Sequence, residues 1–209
     1  MIGLVQAFNP LQRIINRGNN EISRRLSTLQ GLSAKINGTN KLTVHDKTSL
    51  DDEVMGETSA LIALKSKLDA ETTVADARTD AQAIITNYRV YALVVPKVNL
   101  VKTADDQQVA EAKLAALAPK LQSRITAAKT AGKNVTSLQT GLDDLNKQIG
   151  LAQNISSNFE SAIIALQPSD YNSDHTVLSR NRDILKTAQN DIRAAVSDAT
   201  TIVDGLKNL

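Results

Sequence analysis

The run TVADARTDAQAIITNYRVYALVVPKV, residues 73–98, decides how the whole chain is read. Ala77, Ala81, Ile84, Tyr88, Tyr91, Val95 and Val98 recur in alternating steps of four and three, the spacing of one face of a helix. Thr73 with Asp76 three residues on is a helix-start signature, a hydroxyl followed by an acid that can reach back to the cap. One helix is therefore predicted from Thr73 past Tyr91. Both tyrosines lie on its buried stripe, ring inward and hydroxyl at the edge. Arg89 sits about 100° from Tyr88, toward the boundary. Pro96 lacks an amide proton and crowds the preceding turn, so it kinks or ends the helix. Tyr88, Arg89, Tyr91 and Pro96 thus read as a packed structural joint. The competing reading of the same residues is an exposed aromatic–cation recognition patch.

Upstream the same periodicity continues. Phe8, Leu11, Ile15, Ile22, Leu26, Leu29 and Ile36 form a first stripe, with Gly18 on it and Gly38 as its stop. Thr43 with Asp46 starts a second helix through Leu50, Val54, Leu61, Leu64 and Leu68. Downstream the pattern blurs after Pro96 and resumes at Ala110, Leu114, Leu117, Leu121, Ile125 and Ala128. Pro119 is expected to perturb this segment as Pro96 perturbs its own, and Gly132 ends it. A long fourth stripe follows: Val135, Leu138, Leu142, Leu145, Ile149, Ala152, Phe159, Ile163 and Leu166. Pro168 stops it, and QPSDYNSDHT reads as a loop. The last stripe is Leu178, Leu185, Ala188, Ile192, Ala195, Ile202 and Leu206.

The predicted fold class is therefore all-α, built from elongated antiparallel, coiled-coil-like bundles. Helices of about 30 residues are each roughly 45 Å long, which predicts a rod rather than a ball. AKINGTNKLTVHDKTSLDD (34–52) resembles AKTAGKNVTSLQTGLDD (128–144), an internal repeat at nearly half the chain length. The repeat predicts two tandem three-helix units of the spectrin-like kind, residues 1–103 and 104–209, sharing a helix kinked near Pro96. A single long antiparallel bundle is the alternative.

Composition agrees with helices. Of 209 residues, 42% are hydrophobic but only 2% aromatic, so the core rests on Leu, Ile, Val and Ala. The net charge of +2 hides a segregation. Residues 1–40 hold Arg13, Arg17, Arg24, Arg25 and Lys35 against Glu21 alone, whereas residues 41–80 hold nine acids against five bases. Two neighbouring helices with complementary faces explain this most simply. A basic arm for anionic lipid is the sharper reading, while nucleic acid is not called for, since stacking aromatics are lacking. Absence of cysteine excludes disulfides, thiolate zinc sites and cysteine nucleophiles together. No apolar run approaches the roughly 18 residues of a membrane span. The start MIGLVQAFNP lacks the pattern of a signal peptide.

Little here looks like catalysis. The acid pairs Asp51-Asp52, Asp105-Asp106 and Asp143-Asp144 occupy adjacent helical positions that point apart, and two of the pairs fall in first helical turns, where acids suit the macrodipole. Asp170, Asn172 and Asp174 match the start of a D-x-N-x-D calcium loop. The match then fails, with His175 in place of the turn glycine and Asn181 in place of the bidentate acid. The three are weak calcium candidates, and aspartates capping the last helix are the plainer reading. His45 and His175 form no His-x-x-x-His pair, no serine lies in a G-x-S-x-G elbow, and no glycine-rich phosphate loop occurs. No cofactor and no catalytic residue is predicted.

Several stretches together carry a resemblance: RRLSTLQGLSAKI (24–36), KLTVHDKTSL (41–50), residues 63–98, KLQSRITAAKTAGKNVTSLQ (120–139) and, more loosely, residues 184–207. In these the chain resembles a family of uncharacterised, all-helical, secreted or envelope-type proteins of candidate-phylum (Patescibacteria-type) bacteria. The Tyr-Arg-Tyr stretch with its Pro-Lys is the most specific part. The resemblance implies an extracellular or cell-envelope location and carries no catalytic residues. The expected function is a non-enzymatic helical rod, a structural or interaction module for an unknown protein or surface partner. An amphipathic helical protein that binds lipid or another surface is the alternative.

Overall fold

The computed structural model describes residues 9–209, and every regular element among them is helical. The long helices are α1 (Pro10–Gly38), α2 (Val44–Asp69), α3 (Val74–Thr86), α4 (Val95–Thr130), α5 (Thr136–Ser156) and α8 (Val177–Lys207). Two short helices, α6 (Phe159–Ile164) and α7 (Pro168–Ser173), precede α8. Phe8, placed on the first stripe above, lies outside the described residues. The protein is thus all-α, and it divides into two compact units.

The first unit holds the described residues up to Asn99 together with Ile164–Leu178. Local chemistry sets its helix ends. Asn9 accepts from the Gln12 amide at 3.3 Å, with Pro10 at the first helical position, where no donor is missed. Thr43 and Thr73 each accept from the amide three residues on, at 3.1 Å. Each threonine hydroxyl also donates to the carboxylate there, Asp46 or Asp76, at 2.6 Å. Ile22, Leu29 and Ile36 of α1 are buried with Leu50, Leu61 and Leu68 of α2 and with Ala77 and Ile84 of α3. Gly18 on the α1 stripe has a packing reason, since a Cβ there would collide with the Leu68 side chain and press on Ile84. Asp80, buried on α3, accepts from Lys67 of α2 at 2.6 Å.

The second unit holds Leu100–Ile163 and Ser179–Leu209. Its core interleaves Leu114, Leu121 and Ile125 of α4 with Leu138, Leu142 and Leu145 of α5 and Ile192, Ala195 and Ile202 of α8. Gly132 ends α4 as expected and shows why it must be glycine: φ is +78°, the left-handed region. Its amide donates to the Lys129 carbonyl at 3.0 Å and the Lys133 amide to Ala128 at 3.1 Å, a Schellman ending.

Several sequence expectations are corrected. The helix predicted through Tyr91 ends at Thr86, and the break lies upstream of Pro96. Arg89 adopts φ 46°, ψ 33°, a left-handed conformation, and Val90–Val94 forms a π-helical turn before α4. Each event shifts the phase of the helix face, so the buried positions move from Tyr91 and Val95 to Val90, Leu93, Val94 and Lys97. Tyr91 is accordingly 48% exposed. Pro96 is the second residue of α4 and lies just after the π-helical turn, so the break in the helix precedes it. Pro119 neither ends nor interrupts α4, which continues to Thr130. It sits on an exposed face, where the carbonyl it leaves without a donor can meet water. The helix of the fourth stripe is broken after Ser156, where Asn154, Ser156, Ser157 and Asn158 have side chains that compete for the backbone, while Phe159 and Ile163 of the stripe stay buried on α6. The segment read as a loop contains α7, whose first residue is Pro168. Residues 164–178, placed above in the second unit, group with the first, because Lys97 and Arg89 hold them.

Candidate functional site

The chemistry of the first unit converges where α3 gives way to α4. On α2, Glu53, Glu57 and Ala60 lie at i, i+4 and i+7, one face of the helix. The Tyr88 hydroxyl donates to the Ala60 carbonyl at 3.1 Å, so Tyr88 keeps its ring at the joint and its hydroxyl at the edge. Lys97 has no exposed surface. Its ammonium donates to Glu53 Oε1 at 2.8 Å and to the carbonyls of Ile164 and Leu166 at 3.1 and 2.6 Å. A buried lysine here satisfies carbonyls that a helix end leaves without amide partners.

Burial raises the Glu53 carboxyl above its ordinary value, against the pull of Lys97. Glu57 is pushed up to about 7, first by burial and then by the Glu53 charge, with Lys97 opposing. Its Oε2 is buried and accepts no hydrogen bond from a described residue. Burial, with the charges of Glu57 and Asp80, also raises Tyr88.

A second set of contacts fixes α7. The Arg89 Nε donates to Asn172 Oδ1 at 2.6 Å, and Asn172 Nδ2 donates to the Thr86 carbonyl at the end of α3, at 2.9 Å. The Arg89 guanidinium lies 5.5 Å from the Tyr171 ring centroid, and Tyr171 meets His175 edge-on at 5.0 Å. These contacts account for a non-glycine residue at positive φ, a conformation that on its own costs about 1 kcal/mol or more.

The joint residues therefore part company. Tyr88 bonds to Ala60 and Arg89 to Asn172, and Pro96 lies in the first turn of α4. Tyr91 faces outward, with the Arg25 guanidinium 5.1 Å from its ring centroid and the Thr28 hydroxyl donating to its own at 3.4 Å. Tyr91→Ala is expected to cost about 1 kcal/mol, the scale of an exposed cation–π contact. That is well below the roughly 3 kcal/mol of a large-to-small core change. Urea denaturation of the variant checks it.

The calcium candidates Asp170, Asn172 and Asp174 each have a hydrogen-bond partner of their own. Asp170 accepts from the Gln167 amide at 2.7 Å as the cap of α7, Asn172 is engaged by Arg89, and Asp174 accepts from the Thr176 amide at 2.8 Å. Among the described residues no group of three or more acids or histidines is placed to hold a metal ion.

Sequence reading missed Lys97, Glu53 and Glu57, and it named Asn172 for calcium rather than as the partner of Arg89. One signal was present: Val90, Val94, Lys97, Val101 and Ala104 also keep steps of four and three, and a lysine on such a stripe points to a buried ion pair. Glu53 and Glu57 carry no comparable mark. The second unit has its own buried polar group. Ser156 donates to Glu111 Oε1 at 2.6 Å, Gln108 to Glu160 Oε1 at 2.5 Å, and Gln107 to the Leu185 carbonyl at 3.0 Å. Burial raises Glu111, with the Ser156 hydrogen bond opposing.

The site and fold together define an all-helical protein whose buried charges hold helix ends. No family model, curated protein or solved structure matches the chain. Among the described residues no helix is long and apolar enough to cross a membrane.

Proposed function

We propose that this chain is a non-enzymatic structural and interaction module. In this reading its two units are tandem three-helix bundles of the spectrin-like kind, serving a protein or surface partner at a bacterial cell envelope or outside the cell. The observation that carries the reading is where the buried polar chemistry goes. Lys97 is spent on the carbonyls of Ile164 and Leu166, and Arg89 with Asn172 is spent on the end of α3. Groups committed in this way serve architecture. Met55 and Ile62, seven residues apart and exposed on α2, offer apolar contacts to a partner. The location rests on the resemblance in residues 63–98. An antibody to the chain should label intact cells of a producing bacterium; labelling that needs permeabilised cells would overturn the envelope location.

A second reading, binding to anionic lipid surfaces, is favoured by one observation. Arg13, Arg17 and Arg24 are exposed on a single face of α1. Co-sedimentation with phosphatidylserine vesicles at low salt should then fall when all three are changed to glutamine. Absence of wild-type binding at low salt ends this reading.

A further inference from the structure

We propose that residues 164–178 form a proton-controlled latch, held to the first unit by Lys97 while Glu57 is neutral and loosened when Glu57 ionises. The inference goes beyond the proposed function and holds in whichever compartment the chain works.

The argument begins with geometry. The Lys97 ammonium makes three contacts, one to a carboxylate and two to carbonyls of the latch. Glu57 lies one turn along α2 from Glu53, on the same face, with one oxygen buried and without a donor. A neutral carboxyl tolerates that position, whereas a carboxylate there must recruit a donor or bear a desolvation penalty. The titratable groups facing it are Glu53 from its own helix, Lys97 from α4 and Tyr88 from the turn after α3. Asp80 of α3 also acts on Tyr88 and is paired with Lys67. Lys97 is the cation in this group. With Glu57 neutral, Lys97 and Glu53 balance one to one, and the remaining ammonium protons serve Ile164 and Leu166. With Glu57 ionised, two carboxylates compete for the ammonium, and the carbonyls lose their hold on it.

The sign follows from the direction of the shift. The Glu57 carboxyl sits at about 7 in the folded chain against an ordinary 4.5, so folding takes up a proton between these values. The stability this brings is fully present below the lower value and lost as pH rises through the upper one. The second attachment, Arg89 with Asn172 and Tyr171, is made without Glu57 or Lys97. The loosening is therefore expected where Lys97 holds the segment.

Hydrogen exchange on the full chain tests this, with intrinsic exchange rates divided out. In the wild type, protection of the Gln167 amide, which adjoins the Leu166 carbonyl held by Lys97 and donates to Asp170, should fall about tenfold between about pH 5.5 and about pH 8.5. The α5 amides should hold constant. Glu57→Gln, neutral throughout, should keep the low-pH protection over the whole range. Equal pH profiles in the two proteins, or constant wild-type protection, would overturn the latch. If Glu57→Gln fails to fold, carbon-13 titration of the Glu57 carboxyl in the wild type decides instead. A midpoint that coincides with the loss of protection supports the latch, and a midpoint displaced from it overturns it.

Discussion

Lys97→Ala is expected to lower the unfolding free energy of the first unit by about 3–5 kcal/mol, the range for removing one partner of a buried ion pair. Three losses act together. Glu53, already raised by burial, is left without its counter-ion. The carbonyls of Ile164 and Leu166 lose a donor, and each buried polar group left unsatisfied costs about 1–3 kcal/mol. The volume of a fully buried long side chain is emptied as well. The double variant Lys97→Met with Glu53→Leu separates these effects. Replacing both charges with apolar groups of similar volume removes the orphaned carboxylate, and such exchanges are often neutral. The two carbonyls stay without a donor, so recovery should stop short of wild type by about 1–3 kcal/mol for each carbonyl that water does not reach. Urea unfolding followed by circular dichroism measures both variants. A loss under about 1 kcal/mol for Lys97→Ala would mean that the ammonium is dispensable to the joint.

What could be read from the sequence divides along a physical line. Helix starts and stops made by neighbours in sequence were legible: Thr43 with Asp46, Thr73 with Asp76, and Gly132. Each depends on residues within one turn, so composition and spacing suffice. The joint depends on residues far apart in the chain. Two stripes overlap between residues 88 and 104, one through the tyrosines and one through Val90, Val94, Lys97 and Val101. Periodicity favours neither, and a lysine on the Val90 stripe signals burial only if a partner for its charge lies elsewhere in the chain. The choice is made by Glu53 and the carbonyls of Ile164 and Leu166, which supply the lysine with partners and so let it be buried. The α7 helix was illegible for a related reason. Proline reads equally as a stop or as a first helical residue, and glutamine at the cap is not among the usual signatures.

The same reasoning makes Leu145→Ala the sharpest test of the proposed tandem arrangement. Leu145 of α5 has no exposed surface and sits in the core shared by α4, α5 and α8. Its truncation is expected to cost about 2–5 kcal/mol, the range for emptying such a site. The chain carries its own reporter of where that loss is felt. Its three tyrosines, Tyr88, Tyr91 and Tyr171, all belong to the first unit, and there is no tryptophan. Near-ultraviolet tyrosine signals therefore follow the first unit, while far-ultraviolet circular dichroism follows helices in both. If each unit folds around its own core, Leu145→Ala shifts part of the far-ultraviolet transition to lower urea and leaves the tyrosine transition in place. Lys97→Ala should do the reverse. A tyrosine transition that moves with Leu145→Ala as far as the helical signal would mean one cooperative unit, and the tandem reading would have to be given up for a single bundle.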